Sequence, residues 1–287
     1  MRNETQHRIY NIGFINYGTR QMNPLLKLEL KRKFKIRNMI LSFSARIICV
    51  GILFLLVLLA RLATGILALF ISLSATILLF TPASVINSLI SKSARQEINE
   101  LMLTRINRLG ILIIKLIGSN IYNIIILLTS NIIVFTLLYD QQKMTPSGII
   151  NANLVLLVIM ALSSALAFIF VISRDIIISS FFAYLIIAIL LFSVIIIGPF
   201  IQRTENQQAK DIMAKSSLYI NPIITLTRSM GKIDIMRTDY MYNIADPVVG
   251  RGFVYPDWRV SCLGYLAVAC LFIAIISLPM RNKLRLQ

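Results

Sequence analysis

At 287 residues, with 57% hydrophobic and only 14% charged residues and a positive mean hydropathy, the chain lies outside the range of soluble globular domains. Its apolar residues gather into runs of roughly 20, enough to cross about 30 Å of hydrocarbon at about 1.5 Å per residue, so membrane integration follows from composition. A net charge of +17 then reports topology and contact with anionic headgroups. Nucleic acid is not an expected partner, because no recognition fold fits between the spans.

Residues 1–38 carry nine Lys or Arg against two Glu and lack the apolar core and cleavage site of a signal peptide. They read as a cytoplasmic segment. Asn23-Pro24 is a helix start, with Asn as cap and Pro at the first helical position. Leu26, Leu30 and Phe34 then form an apolar stripe among Lys27, Lys31, Arg32 and Lys35, the pattern of an amphipathic helix lying at the membrane interface. Residues 39–287 form the transmembrane domain. Met39–Ala60 is the first predicted span, with Arg46 near enough its inner end for the head to reach the interface. Arg61–Gly65 turns the chain into the second span, Ile66–Thr81. Joining the two into one helix would bury Arg61 near the bilayer centre, at a cost of at least about 2.5 kcal/mol.

Between the second and third spans lies a polar island, Thr81–Lys115. Ser93 and Gln96 have capping-box spacing. Ile98, Leu101, Met102 and Leu109 recur at helical intervals, while Arg95, Gln96, Asn99, Glu100 and Arg108 fall mainly elsewhere around the helix. Glu97 and Glu100 sit towards the amino end and Arg105 and Arg108 towards the carboxyl end, the distribution a helix dipole favours. An amphipathic helix with a wet, charged face is therefore expected here, within a cytoplasmic segment covering 84–110.

Glu100-Leu-Met-Leu-Thr104, followed by Leu109, Ile111 and Lys115-Leu116, resembles a pattern of type-2 ABC exporter permeases. In that family a Glu-Leu-Leu-Leu-Thr-Pro run opens the intracellular segment and Gly-Lys-Leu begins the next span. Pro82-Ala83 is similar to the Pro-Ala with which the family leaves its second span. The chain departs from the pattern at Arg105, where the family has Pro, at Ile114, where it has Gly, and at Glu97, where Gly is common. The resemblance implies that the segment is a coupling helix, with Arg95, Glu97, Glu100, Leu101, Met102, Arg105 and Arg108 seated against an ATP-binding subunit. It also implies that the basic amino-terminal helix abuts that ATPase.

The third span is expected over Ile111–Tyr139, an outer loop over Asp140–Ser147, the fourth span over Gly148–Ile172, and a tight inner turn at Ser173-Arg174-Asp175. Ile176–Phe200 is the fifth span, closing on Gly198-Pro199, and Val260–Leu278 is the sixth. The inner segments of this layout hold seventeen Lys or Arg and the two short outer loops one each, Arg61 and Lys143, which sets both termini in the cytoplasm. The remaining segment, 201–259, is extracytoplasmic. There Asn221-Pro222 with Ile223, Ile224, Leu226 and Met230 predicts a short helix resting on the outer surface. The fold class expected is thus all-α, a polytopic protein of six transmembrane helices in the plasma membrane, of the bacterial inner-membrane kind.

On the third span Asn120, Asn123 and Asn131 fall within about 80° of one another, with Ser130 at their edge. Amides facing lipid lack partners, so this face turns inward, either as interhelical glue or as a translocation or dimer face. Ala161 with Ala165 and Ser179 with Ala183 have the small-xxx-small spacing of close helix packing. Cys49, Cys262 and Cys270 lie in apolar runs and read as small buried hydrophobes. One histidine, His7, leaves no zinc cluster, so no metal site and no catalytic residue is assigned. No phosphate-loop motif is present, so ATP and Mg are expected on a partner subunit and no cofactor in this chain.

The leading expectation is a membrane-spanning permease subunit of an ATP-driven ABC exporter. It forms the pathway as a homodimer or heterodimer with a similar permease, among membrane lipids, and is coupled to a separate ABC ATP-binding subunit. Two alternatives stand beside it: a non-transporting scaffold or assembly factor, and an intramembrane enzyme.

Overall fold

The computed structural model of the chain describes Glu29, residues 36–60, Ala63, 65–91, Ala94, Gln96, Ile98, 108–134, Thr136, 146–170, 175–230 and 257–283. Every regular element among them is helical. In chain order these are α1 (Ile36–Leu59), α2 (Gly65–Ile90), α3 (Arg108–Ile133), α4 (Pro146–Phe170), α5 (Ile176–Leu191), α6 (Ser193–Arg203), α7 (Gln207–Ile220), α8 (Pro222–Ser229) and α9 (Trp258–Lys283). Five of them are long and apolar enough to cross a membrane. The pair α5–α6, bent by 58°, raises the number of crossings to six if it counts as one. The chain is thus an α-helical, multi-pass membrane protein by composition and length of its helices.

Burial ranks the helices. Two-thirds of the most apolar window of α2 and of α4 is buried, against 6% for α1, so α2 and α4 form the central pair and α1 lies at the periphery. Ile66, Phe70, Leu73 and Ile77 of α2 meet Val155, Leu156, Ile159 and Leu162 of α4, and this core takes in Ile187 of α5 and Tyr265 of α9. Outward-facing Ile47, Ile48, Ile52 and Leu55 of α1 and Leu263, Leu271 and Ile275 of α9 present the apolar surface that hydrocarbon requires.

The second helix is longer than expected. It runs through Pro82 to Ile90, where Val85, Ile86, Leu89 and Ile90 are buried against Ala167 and Phe168 of α4. A proline inside a helix supplies no N–H and crowds the preceding turn. Here the Tyr184 hydroxyl of α5 donates to the Leu79 carbonyl at 2.6 Å, a partner for the backbone on the turn that Pro82 disturbs. Ile98 packs against this same cluster and Gln96 is exposed, as the amphipathic reading of the island expects. The Leu26–Leu30–Phe34 stripe lies outside the described residues.

The fifth helix starts as expected, with the Asp175 carboxylate accepting from the Ile177 and Ile178 amides at 2.7 and 3.2 Å. It does not close at Gly198-Pro199. The chain bends at Phe192 instead, and α6 continues through Pro199 to Arg203. After a short connection capped by Asn206, α7 packs back along α6. The short helix at Asn221-Pro222 forms as predicted, with the Asn221 side chain accepting from the Ile223 and Ile224 amides. Its position differs from the expectation of an outer-surface helix. Ile224, Thr225, Leu226 and Thr227 are buried, and Leu226 and Met230 join the main core beside α2, α4 and α9. The apolar side of this helix has bundle walls on several sides, so core burial wins over the surface.

No disulfide joins the cysteines: Cys262 is buried, Cys49 half-buried, and Cys270 exposed on the flank of α9 rather than buried as expected.

Candidate functional site

The polar groups of the bundle converge on Arg46. Its Nε donates to Asn123 Oδ1 at 2.8 Å, one terminal nitrogen donates to the Ser42 carbonyl at 3.0 Å and to the Ser42 hydroxyl, and the other donates to Ser84 Oγ at 2.9 Å. The ring of Phe80 lies 4.7 Å from the guanidinium carbon and that of Tyr122 5.4 Å, both within cation–π range. The side chain is 2% exposed. Arg46 does fold back towards the start of α1, as a residue near an interface would, but its head ends on protein oxygens instead of in water.

The network continues through α3. Asn123 Nδ2 donates to Thr81 Oγ1 at 2.9 Å and to Asn120 Oδ1 at 3.4 Å. Asn120 Nδ2 in turn donates to the Leu116 carbonyl at 2.9 Å and to Ser164 Oγ at 2.8 Å, and Ser164 closes the chain on the Met160 carbonyl. One contiguous hydrogen-bonded path thus ties α1, α2, α3 and α4. In an apolar medium an unmade bond at any link costs roughly 1–3 kcal/mol, so such a network fixes helix register as well as contact.

The other two predicted residues of this face behave differently. Asn131 and Asn153 exchange a reciprocal pair of 2.8 Å amide bonds between α3 and α4, and Ser130 is buried outside both groups. The predicted inward face is therefore real, and its amides are occupied by neighbouring helices. Sequence reasoning missed Ser42, Thr81, Ser84, Asn153 and Ser164 as partners. The signal that could have found them is the intramembrane arginine, which demands acceptors from every helix it touches.

A second charged locus sits two turns nearer the start of α3. Lys115 Nζ donates to Glu29 Oε2 at 2.9 Å, with both side chains about 5% exposed. Gly118 lies beneath the carboxylate stem: a Cβ there would come within 2.6 Å of Glu29 Cγ. A residue of the basic amino-terminal segment is thereby seated on α3. Of the residues assigned to ATPase coupling, Arg95, Glu97, Glu100, Leu101, Met102 and Arg105 lie outside the described residues, and Arg108 opens α3 with its side chain outside them too.

No family model, curated protein or solved structure matches the chain.

A third polar locus holds the bend. At the bend, next to Phe192, Asn221 Nδ2 donates to the Leu191 carbonyl at 2.7 Å. Ser193 Oγ donates to the Ser217 carbonyl at 2.9 Å, and the Tyr265 hydroxyl donates to the Tyr219 carbonyl at 2.9 Å beside Thr225 Oγ1. Side chains from α6, α8 and α9 thus satisfy backbone carbonyls at the bend and at the end of α7, which non-helical backbone at membrane depth requires. Among the described residues no group of three or more His, Cys, Asp or Glu converges in a metal-ligating arrangement.

Proposed function

We propose that the chain is the membrane-spanning subunit of an ATP-driven exporter of the type-2 ABC kind. It spans six times with both termini in the cytoplasm and works as a homodimer or heterodimer with a separate ATP-binding subunit that holds ATP and Mg. The observation that carries this reading is the order of parts along the chain. A basic segment precedes two spans, a charged connection bearing Glu100-Leu-Met-Leu-Thr104 follows, and Lys115-Leu116 opens the third span. The Glu29–Lys115 pair supports it, because it links the basic segment mechanically to α3 directly after the charged connection. A displacement of that connection on ATP binding is passed to α3 and through Asn123 and Arg46 to α1. Cargo couples to the cycle to the extent that it binds the two access states with different affinity.

A second reading, a non-transporting scaffold, is favoured by one observation: the Asn120 and Asn123 amides that would line a path are occupied within the bundle.

Co-reconstitution with the partner ATPase in liposomes tests the proposal. The expected result is stimulation of ATP hydrolysis by the wild-type chain, and loss of that stimulation when Glu100 and Arg108 are exchanged in sign (E100R/R108E) while insertion stays normal. Wild-type coupling in the exchanged variant overturns the coupling assignment. Absence of stimulation by any variant, wild type included, selects the scaffold.

A further inference from the structure

We propose that Arg46 is the cationic floor of a binding site for the phosphate of an acidic glycerophospholipid, entered between α1 and α2 at the edge of the hydrocarbon. The proposal goes beyond the exporter reading and does not depend on it.

Charge is the first observation. Among the described residues Arg46 has no carboxylate partner; its acceptors are an amide, two hydroxyls and one carbonyl, all neutral. Glu29, the buried acid on α3's flank, is engaged by Lys115. A positive charge solvated only by dipoles in a low-dielectric medium keeps a strong attraction for an anion.

Depth is the second. Ser84 lies nineteen residues into α2 and Ser164 eighteen into α4, each about 27–29 Å from its helix start at about 1.5 Å per residue. That is close to one full hydrocarbon thickness of about 30 Å, so the belt around Arg46 lies just inside one membrane boundary. The fold-back of the guanidinium onto Ser42 moves it further towards that boundary.

Free donor capacity is the third. Most hydroxyls in the bundle spend their hydrogen on a carbonyl of their own helix, as Ser72, Thr76, Ser88, Ser119 and Ser164 do. Ser42 and Ser84 accept from Arg46, but among the described residues neither donates its hydrogen. Both are only half-buried. From Ser84 a polar stripe continues along α2 through Asn87, Ser88 and Ser91, none of them buried and all within about 100° of helix surface. It leads from the guanidinium to the end of the helix. The guanidinium's own nitrogens are spent on protein oxygens, so it acts on a phosphate through its charge, while the two hydroxyls at its rim supply the hydrogens. The exposed apolar side chain of Met39, on the same face of α1 as Arg46, suits acyl chains rather than water, which favours a lipid over a soluble anion.

Native mass spectrometry of the purified full chain, exchanged between phosphatidylglycerol and phosphatidylcholine, reads the site directly. Wild type is expected to retain phosphatidylglycerol preferentially, R46Q to retain it about tenfold less through loss of the buried charge, and the S42A/S84A double variant to fall between them through loss of the two hydroxyl donors. The double variant keeps the buried charge and serves where R46Q fails to fold. Equal retention of the two lipids by wild type, or wild-type preference in both variants, overturns the proposal. Displacement of phosphatidylglycerol by millimolar inorganic phosphate overturns the lipid as occupant.

Discussion

Arg46 and Asn123 stand 77 positions apart in the chain, and the guanidinium Nε of the first donates to the amide oxygen of the second at 2.8 Å inside the bundle. An arginine has no acceptor, so this contact also fixes which way the Asn123 amide points, and that orientation places Nδ2 on Thr81 and Asn120. A single contact therefore sets the polarity of the whole network.

Asn123→Leu is expected to remove three bonds and leave Arg46 Nε without its acceptor, destabilising the protein by about 1–3 kcal/mol. Arg46→Met in the same background should recover part of the loss, giving a coupling energy of about 0.5–3 kcal/mol in a double-mutant cycle. Reversible unfolding in mixed micelles measures both. Strict additivity of the two substitutions contradicts the assignment.

The Glu29–Lys115 pair makes an asymmetric prediction. Removing one partner, by Glu29→Gln or Lys115→Met, leaves the other buried and is expected to cost about 3–5 kcal/mol, whereas the apolar double E29L/K115M should lie much nearer wild type. Gly118→Ala should move in the direction of the single variants, by about 1–3 kcal/mol, because its Cβ collides with the Glu29 stem. Thermal denaturation ranks the four proteins. A double variant as unstable as the worse single one would rule out a paired role.

Asn221 has two separable duties, capping α8 and donating to the Leu191 carbonyl. Asn221→Asp keeps the acceptor that the cap needs and loses the donor. Its expected cost of about 1–3 kcal/mol therefore reports the bend, through the lost bonds to Leu191 and Ser193 and the burial of a carboxylate against that carbonyl, and leaves the cap in place. A melting temperature unchanged from wild type would show that the bend does not need that bond.

Asn131 and Asn153 exchange two bonds, so replacing one with Leu leaves the other's amide oxygen without its partner, while its nitrogen keeps a carbonyl of its own helix. The single variants are expected to lose about 0.6–2 kcal/mol each, and the N131L/N153L double less than their sum. Unfolding of the three variants in mixed micelles checks the order; a double equal to the sum shows that the two amides act independently.

Much of the fold is legible from residue pattern. Apolar run lengths place the helices, Asp175 and Asn221-Pro222 mark starts that the structure reproduces, and the grouping of Asn120, Asn123 and Asn131 within about 80° identifies an inward face. Where the reading stopped short, the deciding partner is remote in sequence. Pro82 reads as the end of the second span; the helix that runs through it is held by burial against α4 and by Tyr184, 102 positions on, which bonds the turn before it. The short helix at Pro222 reads as superficial because it is a brief apolar stripe, Ile223, Ile224, Leu226 and Met230, within the long segment between the fifth and sixth predicted spans. It is buried because Thr225 meets Tyr265 and the other hydroxyls bond their own backbone. Arg46 likewise carries no local sign of whether it reaches water or an amide on another helix.

The bend at Phe192 bears on how the protein is made. Leu191 leaves the ribosome thirty residues ahead of Asn221, the residue whose amide closes on its carbonyl. A nascent chain that ends between them has both α5 and α6 but not the group that holds their angle. The bent pair therefore reaches its final form only after the hairpin that follows it has been synthesised and folded back, and translation order becomes part of the architecture.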